Sequence, residues 1–362
     1  MSKVYRVVIV DDSKLIQTVL RDLLDSHPQL TVVGIAEDPH EARDVIKQTE
    51  PDVITLDVEM PRMNGITFLR NLMRLRPTPV VMISTLTSAG SGVTLQALEL
   101  GAVDFVEKPH DLDRNIDHYR EVITEKVLQA ARVSGATLSA VQQRLSAQPA
   151  ASTPVVSPPS EKPVRQTLAR KICAIGGSTG GLEAVTSMLK GVRFSGVEAL
   201  LITLHLPAGF TASFANRLNG LLPITVKEAT DGEKVYQGMA YVAPGGRHME
   251  VLRKPGGLEI HIQDDPPVSR HRPSVDVLFD SVSRACGKQA AGIILTGMGK
   301  DGAAGLLTMR ENRALTYAQD EATSVVWGMP GSAVKMGAVP PEHVQPLLQL
   351  SRALEHFFVS SH

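Results

Sequence analysis

Cysteine is scarce in this chain: 362 residues carry only Cys173 and Cys286. Two thiols make neither a disulfide framework nor a cysteine metal cluster, and Cys173 lies in an apolar run that suits buried filler. This usage fits a reduced, intracellular setting. Aromatic residues are also few, at 4%, against a hydrophobic content of 43%, so the cores are aliphatic. No apolar run approaches the ~18–20 residues that span a bilayer. The opening run Val7–Val10 ends at Asp11-Asp12, which is not the pattern of a signal peptide. A soluble, cytoplasmic protein without membrane insertion is expected. Also missing is the dense basic stripe of a nucleic-acid binder. With no helix-turn-helix pattern either, a transcriptional output is disfavoured.

The charge that is present is unevenly spread. Residues 1–130 hold 14 Lys and Arg against 20 Asp and Glu, a balance of −6, while the rest of the chain carries +5. Tethered halves of opposite sign attract, which suits intramolecular docking. The length allows two domains of ordinary size. In residues 1–130, short apolar runs at Val7–Val10, Val32–Ile35, Val53–Leu56, Val80–Ile83 and Val103–Val106 alternate with amphipathic stretches such as Leu15–Leu24, Glu41–Gln48 and Ile66–Leu75. A last helix is expected near Ile116–Ala131. Repeated strand–helix units imply a doubly wound parallel sheet.

Residues 139–168 are rich in Pro, Ser and Ala and lack periodicity, which reads as a linker semi-stiffened by proline. Alternation then resumes. Ile172–Ile175, Ala199–Leu204 and Ile293–Thr296 read as strands, and Leu182–Leu189, Phe210–Leu218, Val275–Ala285 and Ala303–Arg310 as helices. The glycine- and proline-punctuated stretch Thr225–His261 suggests inserted hairpins, and a closing helix is expected over Val344–Phe357. The fold class is therefore α/β with two parallel-sheet domains: 1–125, then a terminal helix and linker over 126–168, then 169–358.

Chemistry-bearing residues fall at the strand ends, where open α/β sheets bind ligands. Asp11 and Asp12 follow the first strand, Asp57 closes the third, Ser84 the fourth and Lys108 the fifth. Singly each is bland, since an Asp pair after a strand is commonly a helix cap. Together, converging carboxylates make an oxygen-lined site for Mg²⁺. Lys108 and Ser84 are placed to meet the oxygens of a phosphoryl group arriving at Asp57.

A second set lies further on. Ser178 sits in Gly-Gly-Ser-Thr-Gly-Gly between a strand and a helix, in a turn that exposes its hydroxyl. His205 ends the next strand, and Asp301 follows a later one in Gly-Met-Gly-Lys-Asp-Gly. Nucleophile, base and orienting acid would meet at one rim of the sheet. Two alternatives compete. One is an anion-binding glycine loop, although the spacing fits neither standard phosphate loop. The other is the Gly-x-Ser-x-Gly elbow, which needs a histidine after the acid, such as His343.

Residues 1–125, with Asp57-Val-Glu-Met-Pro-Arg-Met-Asn-Gly and Glu-Lys108-Pro109, resemble the receiver domain of two-component response regulators. The resemblance implies a flavodoxin-like fold with Asp57 as phospho-acceptor. It also implies Mg²⁺ held by Asp12, Asp57 and the Glu59 carbonyl with Asp11 in support, Phe105 as switching aromatic, and Ser84 and Lys108 on the phosphoryl group. Residues 170–357 resemble the chemotaxis protein-glutamate methylesterases, through Ile-Gly-Gly-Ser-Thr-Gly-Gly, His205-Leu-Pro-Ala-Gly-Phe, Val-Ala-Pro-Gly-Gly-Arg-His-Met, Arg-His-Arg-Pro-Ser-Val-Asp-Val-Leu-Phe and Leu-Thr-Gly-Met-Gly-Lys-Asp301-Gly. That implies a larger Rossmann-like three-layer catalytic domain. It implies a cofactor-free serine hydrolase acting on glutamate methyl esters, and on selected glutamines, of chemoreceptor helices. Ser178, His205 and Asp301 would form its triad, Thr179 and Met298 its oxyanion hole, and a chemotaxis histidine kinase would be the phosphodonor. A monomer is expected, and Arg247-His248 or His271-Arg272 are candidates for steering acidic helices.

Overall fold

The computed structural model describes residues 3–58, 60, 64–84, 88–108, 112–135, 138–139, 142–143 and 167–360. They belong to two compact units, Met1–Ser152 and Thr153–His362. Glu59 and most of the expected linker lie outside the described residues.

In the first unit the strands are β1 (Tyr5–Val10), β2 (Leu30–Ala36), β3 (Val53–Asp57), β4 (Val80–Ser84) and β5 (Asp104–Glu107). They alternate with helices α1 (Lys14–Asp25), α2 (Pro39–Thr49), α3 (Gly65–Leu75), α4 (Ser88–Glu99) and α5 (Leu112–Ala130). Every strand pair is parallel and the order is β2-β1-β3-β4-β5. Strands β3 and β4 are buried along their whole length. Hence Val-Ile-Thr-Leu and Val-Val-Met-Ile read as near-continuous apolar runs, as strands covered on both faces must. Helix α1 buries Leu20, Leu23 and Leu24, the spacing of one helical stripe. Its cap is Ser13, whose hydroxyl accepts from Ile16 N at 3.5 Å. The Asp pair before it is therefore released from the capping role that an isolated reading would give it.

The second unit contains β6 (Ile172–Gly177), α6 (Gly181–Lys190), β7 (Ala199–Leu204), α7 (Phe210–Leu221), β8 (Thr225–Glu228) and β9 (Met239–Val242). Next come β10 (His248–Lys254), β11 (Gly257–Gln263), α8 (Val275–Cys286), β12 (Ala290–Ile294), α9 (Ala303–Glu311), β13 (Leu315–Gln319), α10 (Met329–Lys335), β14 (Val344–Gln345) and α11 (Leu347–Val359). Seven strands form one parallel sheet in the order β14-β13-β12-β6-β7-β9-β8, and β10 with β11 forms a separate antiparallel ribbon.

Of the hairpins expected within Thr225–His261, one is present and the rest of the stretch differs. Strands β8 and β9 pair parallel to one another and extend the main sheet beyond β7. Only the β10–β11 ribbon is a hairpin. Its inner side chains Met249, Val251, Leu258, Ile260 and Ile262 share a buried cluster with Leu278, Phe279 and Val282 of α8. Each such side chain contributes about 1.5–3 kcal/mol by leaving water, so the ribbon clamps α8 in place. The start of that helix, as shown below, holds Asp301.

Candidate functional sites

In the first unit the strand order reverses direction between β1 and β3, the crevice where such sheets bind ligands. Asp11 follows β1 and Asp57 ends β3, both buried at 1% and 2% exposure, while Asp12 is exposed. Each of the three carboxylates offers an oxygen within 4.8 Å of the others. Lys108 Nζ donates to Asp57 Oδ2 at 2.8 Å and lies 2.9 Å from Asp11 Oδ2. The second contact is an ion pair not aligned as a hydrogen bond, so the buried Asp11 Oδ2 has no hydrogen-bond partner. Burial works against the charge on Lys108, but its hydrogen bond to Asp57 and the negative charges of Asp57 and Asp11 outweigh that and its pKa is raised. Asp11 Oδ2 is a buried carboxylate oxygen without a hydrogen-bond donor, and the donor set of the three carboxylates is hard and all-oxygen. The cluster fits a divalent cation such as Mg²⁺.

Ser84 ends β4, the strand beside β3, and Phe105 lies on β5, the strand beyond it. Ser84 is buried and its carbonyl accepts from Lys108 N at 2.9 Å, which fixes the start of the lysine's loop. Phe105 is buried, and Lys126 Nζ donates to its carbonyl at 2.8 Å and lies 5.1 Å from its ring centroid. The structure therefore gathers Asp11, Asp12, Asp57 and Lys108 into one cluster.

In the second unit, Ser178, His205 and Asp301 follow β6, β7 and β12, three neighbouring strands with β6 in the middle. Gly177 pairs with Leu204 in the β6–β7 register. Ser178 and His205 are thus the next residues along adjacent strands, whose spacing is ~4.8 Å. His205 N donates to Gly177 O at 3.4 Å, holding the two strand ends together. On the other side, Ser178 N donates to Thr296 O at 3.0 Å. Gly297 makes that approach possible, since a Cβ there would lie 2.9 Å from both Ser178 N and Ser178 Cβ.

His205 Nε2 lies 2.7 Å from Asp301 Oδ2, with both side chains buried. The carboxylate thus fixes the imidazole with its proton on Nε2. Nδ1 is left buried with no hydrogen-bond partner, a lone pair available to a hydroxyl. An unpaired buried acceptor is costly and asks for a role. Asp301 itself is saturated. Ser274 Oγ donates to Oδ1 at 2.7 Å, Asp276 N to Oδ1 at 3.1 Å and Val275 N to Oδ2 at 2.7 Å. Burial alone would raise its carboxyl, but the bonds from His205, Ser274 and Val275 hold it below the ordinary carboxylate value. Next to it, burial and the Asp301 charge push Asp276 up to about 6.

Met298 N–H has no acceptor among the described residues, leaving it open to an oxyanion. Thr179, by contrast, is buried, and its carbonyl accepts from Thr296 Oγ1 at 3.0 Å. His343 is engaged elsewhere: its Nδ1 bonds Thr316 O at 2.9 Å and its ring stacks on Tyr317. The elbow alternative thus loses its histidine.

One of the steering candidates is removed. His248 is fully buried. Arg247 is a bidentate partner of Asp264, and Arg272 Nη1 donates to the Asp264 and Asp265 carbonyls, so both guanidiniums brace the loop before α8. His271 stacks on His205 with ring centroids 3.6 Å apart and planes 10° from parallel. Sequence reasoning named His271 only as a surface residue. It missed the role of Ser274 and took His248 for a steering residue, because a buried polar contact leaves no periodic signal.

Fold and sites together define a two-unit α/β protein: a receiver with an acidic acceptor pocket, joined to a unit with a hydrolase-type histidine–carboxylate pair. The response regulator receiver domain family matches residues 7–120, and the CheB methylesterase family matches residues 173–354. The chain belongs to the CheB methylesterase family. It is 49% identical over 360 residues to a protein-glutamate methylesterase/protein-glutamine glutaminase of Hahella chejuensis, covering 99% of this chain and 98% of the relative. It is 52% identical over 340 residues to the protein of that name from Escherichia coli K12, covering 94% and 93%. The crystal structure of the Thermotoga maritima CheB methylesterase catalytic domain aligns with a TM-score of 0.50 at 32% identity, covering 52% of this chain and 99% of that one. Among the described residues, no helix is long and apolar enough to cross a membrane.

Proposed function

We propose that this chain is a phosphorylation-activated serine hydrolase that removes methyl groups from glutamate methyl esters on the cytoplasmic helices of chemoreceptors. It also deamidates specific glutamines there, and so acts in chemotaxis adaptation. The observation that carries the reading is the buried His205 imidazole, tied to Asp301 through one nitrogen and unpartnered at the other beside the strand that presents Ser178.

In this reading His205 Nδ1 takes the proton of Ser178 Oγ as the oxygen attacks the ester carbonyl. Asp301 keeps the other imidazole proton in place and stabilises the imidazolium that forms. The oxyanion is received by the N–H of Met298 with one near Thr179. His205 returns the proton to the departing methoxide, methanol leaves, and an acyl-enzyme remains. Water, deprotonated by the same imidazole, then releases the glutamate carboxylate and restores Ser178. For a glutamine the leaving group is ammonia, which has the greater need of that proton.

In the receiver, Asp57 accepts a phosphoryl group from a chemotaxis histidine kinase, with Lys108 and Ser84 on its oxygens and Phe105 responding as the switching aromatic. Mg²⁺ held by Asp11, Asp12, Asp57 and the Glu59 carbonyl would neutralise charge during that transfer. The catalytic unit, over residues 169–358, works without a cofactor. A cytoplasmic setting is part of this reading, supported by the two buried free thiols and consistent with the proposed substrate helices and kinase partner. It acts as a monomer, without nucleic acid and without inserting in the membrane.

The experiment is methanol release from methylated receptor membranes, with and without a small-molecule phosphodonor. Release that rises with the donor in the wild type, stays at the basal level in Asp57→Asn and vanishes in Ser178→Ala supports the reading. Undiminished release from Ser178→Ala removes it.

A further inference from the structure

Ser274 is fully buried and polar, and nothing in the reaction as described above uses it. It is the cap of α8, in extended backbone, and its Oγ donates to Asp301 Oδ1 at 2.7 Å. Its backbone N donates to His248 Nδ1 at 3.2 Å. His248, also fully buried, bonds the Pro266 carbonyl through Nε2 at 3.1 Å. A carbonyl only accepts, so the His248 proton is on Nε2, and Nδ1 is left as the acceptor that Ser274 N requires. Both nitrogens of this imidazole are thus committed.

The result is one buried chain: Pro266 carbonyl, His248, Ser274, Asp301, His205. Residue 274 enters it through both its backbone and its side chain. The start of α8 is wedged against the nucleophile strand as well, since a Cβ on Gly176 would lie 2.1 Å from Val275 Cγ1. The acid is therefore placed by the helix that the β10–β11 ribbon clamps, with its own strand supplying only the attachment.

We infer that Ser274 is a positioning residue of the hydrolytic reaction, holding Asp301 in the rotamer that aims His205 Nδ1 at Ser178, and that His248 in turn fixes the backbone of Ser274. This rests on the assignment of Ser178, His205 and Asp301 above. Ser274 touches no reacting atom. Removing its hydroxyl leaves Asp301 Oδ1 with the Asp276 N–H alone and frees the carboxylate to turn. Misplacement of that kind costs up to about 100-fold in rate.

The test measures methanol release by the full chain on methylated receptor membranes for Ser274→Ala, Ser274→Gly, Asp301→Ala and the Ser274→Ala/Asp301→Ala pair. Glycine is included because it is a tolerated cap, so that variant removes the hydroxyl while keeping the helix start. The expected result is a kcat about 10- to 100-fold lower for both Ser274 variants with KM within about twofold. In the Asp301→Ala background the Ser274 change should cost less than about twofold, because a residue acting through Asp301 has nothing left to position. The inference is overturned if Ser274→Gly keeps wild-type kcat, or if the loss is equally large in both backgrounds. If Ser178→Ala abolishes activity and Asp301→Ala sharply lowers it while both Ser274 variants keep wild-type kcat, only this inference fails. If Asp301→Ala is itself fully active, the assignment of the acid fails with it.

Discussion

The two units solve the same problem in opposite ways. Each brings buried carboxylates to the carboxyl ends of parallel strands, at the crevice where strand order changes direction. In the receiver, Asp11 and Asp57 share Lys108, and Asp11 Oδ2 has no hydrogen-bond donor. In the hydrolase unit, Asp301 receives four donors, from His205, Ser274, Val275 and Asp276. A carboxylate cluster holding an oxygen without a donor attracts cations and is a place where a new bond can form. A saturated carboxylate is inert, and its use is to aim something else. On the proposed function, the receiver's acid is the one that reacts, and the hydrolase unit's acid orients the histidine.

That contrast predicts effects of very different size. The largest belong to the hydrolase unit. Ser178→Ala and His205→Ala should each lower methanol release by about 10⁴-fold or more, and the double variant should be little worse than either, since members of a reacting set fail together. Losses that multiply would mean that the two residues act independently. Next in size is the receiver's acid. Asp57→Asn should leave basal activity intact and remove the phosphodonor response, a loss of about 5–150-fold in stimulated rate if the coupling has ordinary strength. An unchanged response would place the reacting carboxylate elsewhere.

Smaller still is the effect on the cation. Asp12→Ala should weaken Mg²⁺ binding in calorimetry by about tenfold, or about 1.4 kcal/mol. The corresponding change at the saturated acid, Asp301→Ala, should not alter Mg²⁺ binding at all. Equal effects from both would erase the distinction drawn between the two pockets.

The smallest effect concerns Asp276, the one carboxylate beside the saturated Asp301 that is pushed up, to about 6, by burial and by that neighbour's charge. The unfolded chain releases this proton near 3.8, whereas the fold retains it until about 6. Between those values the native state holds more protons than the unfolded one. This residue's contribution to stability therefore falls as pH rises through that window, then levels off. Asp276→Asn keeps an acceptor for Gly305 N and cannot ionise. Its melting temperature should gain on the wild type by a few degrees on going from pH 4 to pH 7. A constant difference across that range would show that Asp276 does not titrate there.

Much of this was legible in the primary structure, and the reason is local. Strands β3, β4, β6 and β7 are buried along their length, so Asp57, Ser84, Ser178 and His205 are conspicuous as the polar residues that end or follow them. Strand pairing is another matter. Thr225–Glu228 is a four-residue strand with three polar residues, and nothing in it distinguishes a sheet edge from a hairpin arm. Its parallel partner is Met239–Val242, and that pairing is decided by the packing of the sheet. The chain of His248, Ser274 and Asp301 was illegible for a related reason. Its three residues lie 26 and 27 positions apart along the chain, and a buried hydrogen bond imposes no period on the residues around it. Ser274 reads in sequence as an ordinary cap, which it also is.

The central claim is that His205, oriented by Asp301, activates the hydroxyl of Ser178. A serine-reactive phosphonate followed by mass-spectrometric mapping tests it most directly. The account predicts a single stoichiometric adduct on Ser178 in the wild type, formed at least about 1,000-fold more slowly in His205→Ala. An adduct on another residue, or labelling of Ser178 at the same rate without His205, would contradict it.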